Sequence, residues 1–111
     1  MNFDGFLQYN WLWARSQCQK LGAELASVES RDELNFIQKL KGRFHAGHWL
    51  GGVFSVEEEE WVWTDGTNFD SELWNKKTGT VGKCLSIDPD SELMISSHCF
   101  EKLWPVCSKN I

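Results

Sequence analysis

Four cysteines, three histidines and sixteen carboxylates are the side chains in this 111-residue chain with chemistry to offer. Cys18, Cys84, Cys99 and Cys107 form an even set in a short chain, which fits a disulfide framework better than chance thiols. The count alone leaves every pairing open. His45 and His48 stand three apart beside Gly47 and Trp49. That spacing would aim two imidazoles at one metal on a helix, but the neighbouring residues favour a loop. His98 stands apart from both. No histidine or serine belongs to a Gly-x-Ser-x-Gly elbow, and a disulfide frame would consume the thiols, so catalysis has no constellation to stand on. An enzyme is the class excluded, and no cofactor is implied.

The carboxylates are hard donors of the kind calcium takes. Asp65, Asp70, Glu72, Asp88, Asp90 and Glu92 are numerous enough to raise an auxiliary cation site. Turn chemistry accounts for them better: Asp65 precedes Gly66, and Asp88 and Asp90 flank Pro89. Glu57 to Glu60 put four like charges in a row, which reads as a solvated turn rather than a metal cup.

Net charge is −5 and the eleven Lys and Arg are scattered, so no basic stripe exists to follow a phosphate backbone. Nucleic acid is excluded as a partner. Apolar runs stop far short of the roughly 18 residues that would span a bilayer, so no membrane insertion by this segment is expected. Met1 to Gly5 carry neither the basic nor the apolar region of a secretory leader. Paired cysteines need an oxidising compartment. The expectation is therefore one domain over residues 1–111, excised from a larger receptor or secreted protein and located outside the cell or on its surface. No Asn-x-Ser/Thr sequon is present.

The elements that must carry these residues fall into two halves. Trp11, Ala14, Cys18 and Leu21 recur at helical spacing before Gly22, predicting a helix over 11–21 with Cys18 facing the core. Ser30-Arg31-Asp32-Glu33 has the form of a capping box. Leu34, Ile37 and Leu40 make the apolar stripe of the helix that follows, and Lys41-Gly42 ends it. Beyond residue 48, Trp49 to Phe54, Trp61 to Trp63, Cys84 to Ile87 and Trp104 to Cys107 read as short strands, with turn residues between them. Seven Trp and seven Phe against one Tyr predict an aromatic core. Two helices followed by short strands give the α+β class.

In that order the landmarks resemble the C-type lectin-like domain family from Phe6 to Cys107. Trp11 to Cys18 and Leu21-Gly22-Ala23-Glu24-Leu25-Ala26-Ser27-Val28 look like its first helix and following turn. Trp49-Leu50-Gly51-Gly52 matches its central strand. Trp61-Val62-Trp63-Thr64-Asp65-Gly66-Thr67, with Phe69 and Trp74 beyond, is similar to the segment that enters its long loop. The resemblance implies helices packed on small antiparallel sheets, and the pairings Cys18–Cys107 and Cys84–Cys99. The chain lacks the extra N-terminal cysteine pair of the long form, leaving Phe3 to Tyr9 for a first strand.

In sugar-binding relatives a carboxylate-Pro-amide triplet and a Trp-Asn-Asp triplet hold calcium. Counting back from Cys99, the Asn and Asp positions are Ile95 and Ser96, and Met94 stands where the Trp would be. The loop from Asn75 to Lys83 has no carboxylate and no Pro, but it carries Lys76, Lys77 and Lys83. It is several residues shorter than in sugar binders and too short for the loop-exchanged dimers of some relatives. The expectation is a calcium-independent recognition domain that binds a protein partner through Lys76, Lys77, Lys83, Glu92, Met94 and His98, as a receptor or adhesion module. For Met94 a contact role and a core role are equally open. The alternative is a glycan-binding domain, metal-independent or with weak residual calcium dependence. Ice binding stands third, since no regular row of Thr is evident.

Overall fold

Asn10 opens the first helix, α1 (Trp11–Lys20), its side-chain oxygen accepting the Trp13 N–H at 2.9 Å. That satisfies one of the amides a helix start leaves unpaired. At the other end Gly22 takes φ 72°, and the Gly22 and Ala23 amides donate to the carbonyls of Gln19 and Cys18. This paired closure is the Schellman motif, and a left-handed residue is what makes it. Trp11, Ala14 and Cys18 are buried as their spacing predicts. Leu21 is exposed instead, because it is the capping residue and no longer follows the helical face.

The computed structural model describes residues 8–41, 47–87 and 93–108, without the side chains of Leu40 and Lys41. The readings placed on Phe3, Gly42, His45, Asp88, Pro89, Asp90 and Glu92 lie outside the described residues.

Helix α2 (Arg31–Lys41) begins where the capping box predicts. The Ser30 hydroxyl accepts the Glu33 amide at 3.2 Å, while the Glu33 carboxylate accepts the amide of Glu29 at 2.9 Å. Leu34 and Ile37 are fully buried, each worth about 1.5–3 kcal/mol of transfer free energy.

The strands form two sheets. In the larger, β2 (His48–Ser55) pairs antiparallel with β3 (Glu60–Trp63) and with β4 (Cys84–Ile87). β4 in turn pairs with β5 (Ile95–Ser97), and β6 (Trp104–Pro105) lies parallel to the start of β2. The smaller sheet joins β1 (Glu24–Leu25) to β7 (Cys107–Ser108). Trp104 to Cys107, read as one strand, is therefore two. The chain changes sheets at Val106, whose amide donates to Trp49 and whose carbonyl accepts from Ala26. His48 opens β2 rather than lying in a loop, and it is buried.

Trp49-Leu50-Gly51-Gly52 is the seam between the sheets. A Cβ on Gly51 would lie 2.6 Å from the Leu25 carbonyl oxygen, and one on Gly52 would lie 2.3 Å from Leu85 Cδ1. The Gly51 amide donates to Ala26 at 2.8 Å and its carbonyl accepts from Thr64 at 2.9 Å. Only glycine allows so close an approach of backbone to backbone.

The aromatic core is as expected. Trp49 is fully buried, and Trp11, Trp61 and Trp63 nearly so. The indole N–H of Trp11 donates to Leu50 at 2.8 Å and that of Trp49 to Tyr9 at 2.7 Å, tying α1 and the first described residues to β2. Trp13, Phe36 and Phe100 are exceptions and are exposed. The disulfides are Cys18–Cys107 and Cys84–Cys99, with S–S distances of 2.01 and 2.03 Å. The first ties α1 to β7, and the second ties β4 to the segment after β5.

Candidate functional site

Two Asx-type caps shape the loop between β3 and β4. The Asp70 carboxylate accepts the Glu72 amide at 3.0 Å and starts a short 3-10 turn over Ser71–Leu73. The Asn75 side chain accepts the Lys77 amide at 3.1 Å and starts a second over Lys76–Thr78. Gly79 then reverses the chain at φ 68°. Short polar side chains that hydrogen-bond their own backbone are well suited to such turns.

This loop is stitched to β5 residue by residue. The Met94 amide donates to Leu73 and its carbonyl accepts from Asn75, both at 2.8 Å. Two residues on, the Ser96 amide donates to the Thr78 hydroxyl at 3.0 Å, and the Ser96 hydroxyl donates to the Thr78 carbonyl at 2.7 Å. Ile95 and Ser96, which the resemblance gave as positions without calcium ligands, form a strand, and the Ser96 hydroxyl is spent on fastening the loop. The sequence reading missed this strand because it had read the two positions only as lost ligands.

Lys76 and Lys77 are exposed on the second 3-10 turn. Through Thr78 their loop is fastened to β5, and β5 runs directly into exposed His98. The His98 ring stacks on Phe100 with centroids 5.2 Å apart. Gly82 packs so closely that an added Cβ would lie 2.5 Å from the Ser97 carbonyl carbon. Lys76 and Lys77 thus lie on the loop fastened to β5 and His98 just beyond β5, while the exposed Lys83 carries its ammonium to 4.9 Å from the centre of the Phe54 ring. Met94 does not join them. It is fully buried, so of its two open roles it takes the core one, filling the space where the loop meets β5.

The carboxylates are dispersed. Asp65 accepts the Ser27 hydroxyl at 2.6 Å, and the Thr67 hydroxyl and amide at 2.6 and 3.0 Å. Its carboxyl lies below its ordinary value: burial pushes it up, and the hydrogen bonds from Ser27 and Thr67 outweigh that. Asp70 is a cap. Among the described residues no three His, Cys, Asp or Glu side chains converge as metal ligands would. Glu57, Glu58 and Glu59 form the exposed connection between β2 and β3, and Glu60 opens β3.

A second feature escaped the sequence reading. Between that acidic connection and the loop lies an open groove of about 1100 Å³ walled by Phe54, Trp61, Trp63, Phe69 and Trp74. Trp61 is at its centre, 5.4 Å from Phe54, 5.5 Å from Trp74 and 6.4 Å from Phe69 by ring centroids. The signal was present in Trp61-x-Trp63, two rings on one face of a strand, with Phe54 opposite Trp61 in the ladder.

A sequence profile described as "Lectin C-type domain" matches residues 7–109. The chain is 31% identical over 100 residues to "C-type lectin domain family 2 member D3" of Rattus norvegicus, covering 90% of this chain and 37% of that protein. It is 31% identical over 110 residues to "Galactose-specific lectin nattectin" of Thalassophryne nattereri, covering 92% of this chain and 69% of that one. The chain thus spans little more than a third of the length of the rat protein. Among solved structures, herring type II antifreeze protein superposes with a TM-score of 0.83 at 26% identity, over 95% of this chain and 86% of the other. The profile match across the described fold, together with these likenesses, means that the chain belongs to the C-type lectin domain family.

Proposed function

We propose that this domain is a calcium-independent recognition module that binds a protein partner through the face bearing Lys76, Lys77, Lys83 and His98. The observation that carries the reading is the fastening of the lysine-bearing loop to β5 by Thr78 and Ser96. Where sugar-binding relatives would use oxygen ligands for a dication, this chain spends its hydroxyl on its own backbone and offers ammonium groups to solvent. Three lysines repel a dication. A rigid, cationic loop suits an acidic patch on a protein, because charge complementarity selects partners and speeds encounter. Glu92, outside the described residues, is kept in the proposed partner contact.

Two disulfides are stable in oxidising compartments, which supports an extracellular or cell-surface setting, within a larger receptor or secreted protein. Capture of cell-surface and matrix proteins on the immobilised domain, with and without EDTA, tests the reading. Capture that persists in EDTA and is lost in Lys76→Ala/Lys77→Ala/His98→Ala supports it, and capture lost in EDTA refutes it. The likeness to a galactose-specific lectin supports glycan binding as a second reading. Glycan-array signals retained in EDTA, with no protein captured, would favour it over the first.

A further inference from the structure

The aromatic groove borders the lysine face, sharing Lys83 with it, and carries two carboxylates at its rim. We propose that it is a second docking site, and that its occupant is an extended, arginine- or lysine-bearing segment of a protein partner. The inference does not depend on the lysine-face reading.

Charge at the rim selects the occupant. Glu59 and Glu60 line the groove, both are exposed, and neither has an ion-pair partner among the described residues. The chain as a whole is acidic, at −5. A cation entering here meets two free carboxylates and then the faces of aromatic rings, which attract it through their quadrupoles. The wall already demonstrates this. The Lys83 ammonium lies 4.9 Å from the centre of the Phe54 ring, and it also donates to the Thr80 carbonyl. That ammonium is committed within the chain, and two carboxylates outweigh it.

The groove also carries polar side chains: Thr67, Asn68 and Ser71 line it beside the rings, and an extended segment presents a peptide N–H and C=O at each residue to meet them. The groove, at about 1100 Å³ and open to solvent, has room for a stretch of chain. A neutral glycan could donate hydroxyls to these carboxylates but would leave their charge unneutralised.

The test uses the purified domain and a fluorescein-labelled heptapeptide alternating glycine and arginine, with its glycine–glutamate counterpart as the comparison. Polarisation should report saturable binding of the arginine peptide alone, weakening with added salt, and tryptophan emission should change as the groove fills. Glu59→Gln/Glu60→Gln should weaken binding about five-fold, as expected for two exposed ion pairs. Glu57→Gln/Glu58→Gln removes the same charge from the same turn outside the groove and should change little, as should Lys76→Ala/Lys77→Ala. All these substitutions are on exposed residues, and unchanged circular dichroism verifies the fold. No binding, equal binding of the two peptides, or equal losses in both glutamine pairs would overturn the proposal. A tryptophan response to a neutral trisaccharide but not to the arginine peptide would overturn it in favour of a glycan groove.

Discussion

Replacing Thr78 by valine removes one hydroxyl at nearly constant shape, and the structure says what that hydroxyl does. It accepts the Ser96 amide at 3.0 Å and donates to the Asn75 carbonyl at 2.7 Å. The Ser96 hydroxyl can still reach the Thr78 carbonyl, so the latch is halved rather than abolished. Two hydrogen bonds at about 0.5–1.5 kcal/mol each put the loss at about 1–3 kcal/mol. With about 2.1 cal/mol/K of unfolding entropy per residue, a chain of 111 residues shifts its Tm by about 4 °C per kcal/mol. If loop and sheet unfold together, Thr78→Val should melt about 4–13 °C lower. If the loop opens first, the same free energy should appear instead as amide exchange at Ser96 and Asn75 about five- to 140-fold faster, since about 1.4 kcal/mol is a factor of ten. Lys76→Ala and Lys77→Ala, which remove no such bond, should leave both readouts alone while abolishing partner capture. A Thr78→Val variant with unchanged Tm and unchanged exchange at Ser96 would refute the claim that this latch holds the loop.

Three further outcomes follow from the geometry. Gly51→Ala places a methyl 2.6 Å from a backbone oxygen that cannot move, whereas Gly52→Ala meets the side chain of Leu85. Both should destabilise by about 1–3 kcal/mol in urea titrations, Gly51→Ala more, and a milder effect at Gly51 would contradict the seam. The Cys18–Cys107 bridge closes 89 residues and Cys84–Cys99 closes 15, so in the chain-entropy model their removal by paired Cys→Ala changes costs about 4.6 and about 3 kcal/mol. Melting curves that place the two variants in the reverse order would count against that model here. Since the Asp65 carboxyl titrates below its ordinary value of 3.8 when folded, its contribution is present above that value and is lost as the pH falls through the depressed one. Wild type should therefore lose stability more steeply than Asp65→Asn as the pH falls below about 4, and parallel curves would show that Asp65 carries no such linkage.

Much of the frame was legible because local chemistry and global fold agree. The helices declared themselves through period and caps: Ser30 and Glu33 close the start of α2 almost as a capping box prescribes, with Glu33 reaching one residue further back. Asn10, which caps α1, went unread in the sequence although Asn is a common capping residue. Where the fold overrode local pattern, the reading failed. Leu21 continues the apolar period of α1, yet it falls where the backbone is already turning into a left-handed glycine, so its side chain points to water. Val106 sits mid-strand by composition, but the chain must leave β2 for β1 there, which no local signal announces.

The candidate site divides along the same line. The cysteines and the family's motif order located the lysine loop, but not what fastens it. Ile95 and Ser96 could be read as positions without calcium ligands, while their pairing with Thr78 depends on two segments 18 residues apart meeting edge to edge. Met94 shows why composition alone left its role open: only the parallel bridge to Trp74 reveals that its side chain is inside. The groove needed more still. Its rings come from β2, β3 and the loop, and its charge from a turn that reads, in isolation, as plain solvated surface. On the proposed reading a run of glutamates becomes selective because the fold sets it beside aromatic walls, and that placement is a property of the packing that brings β3 and the loop together.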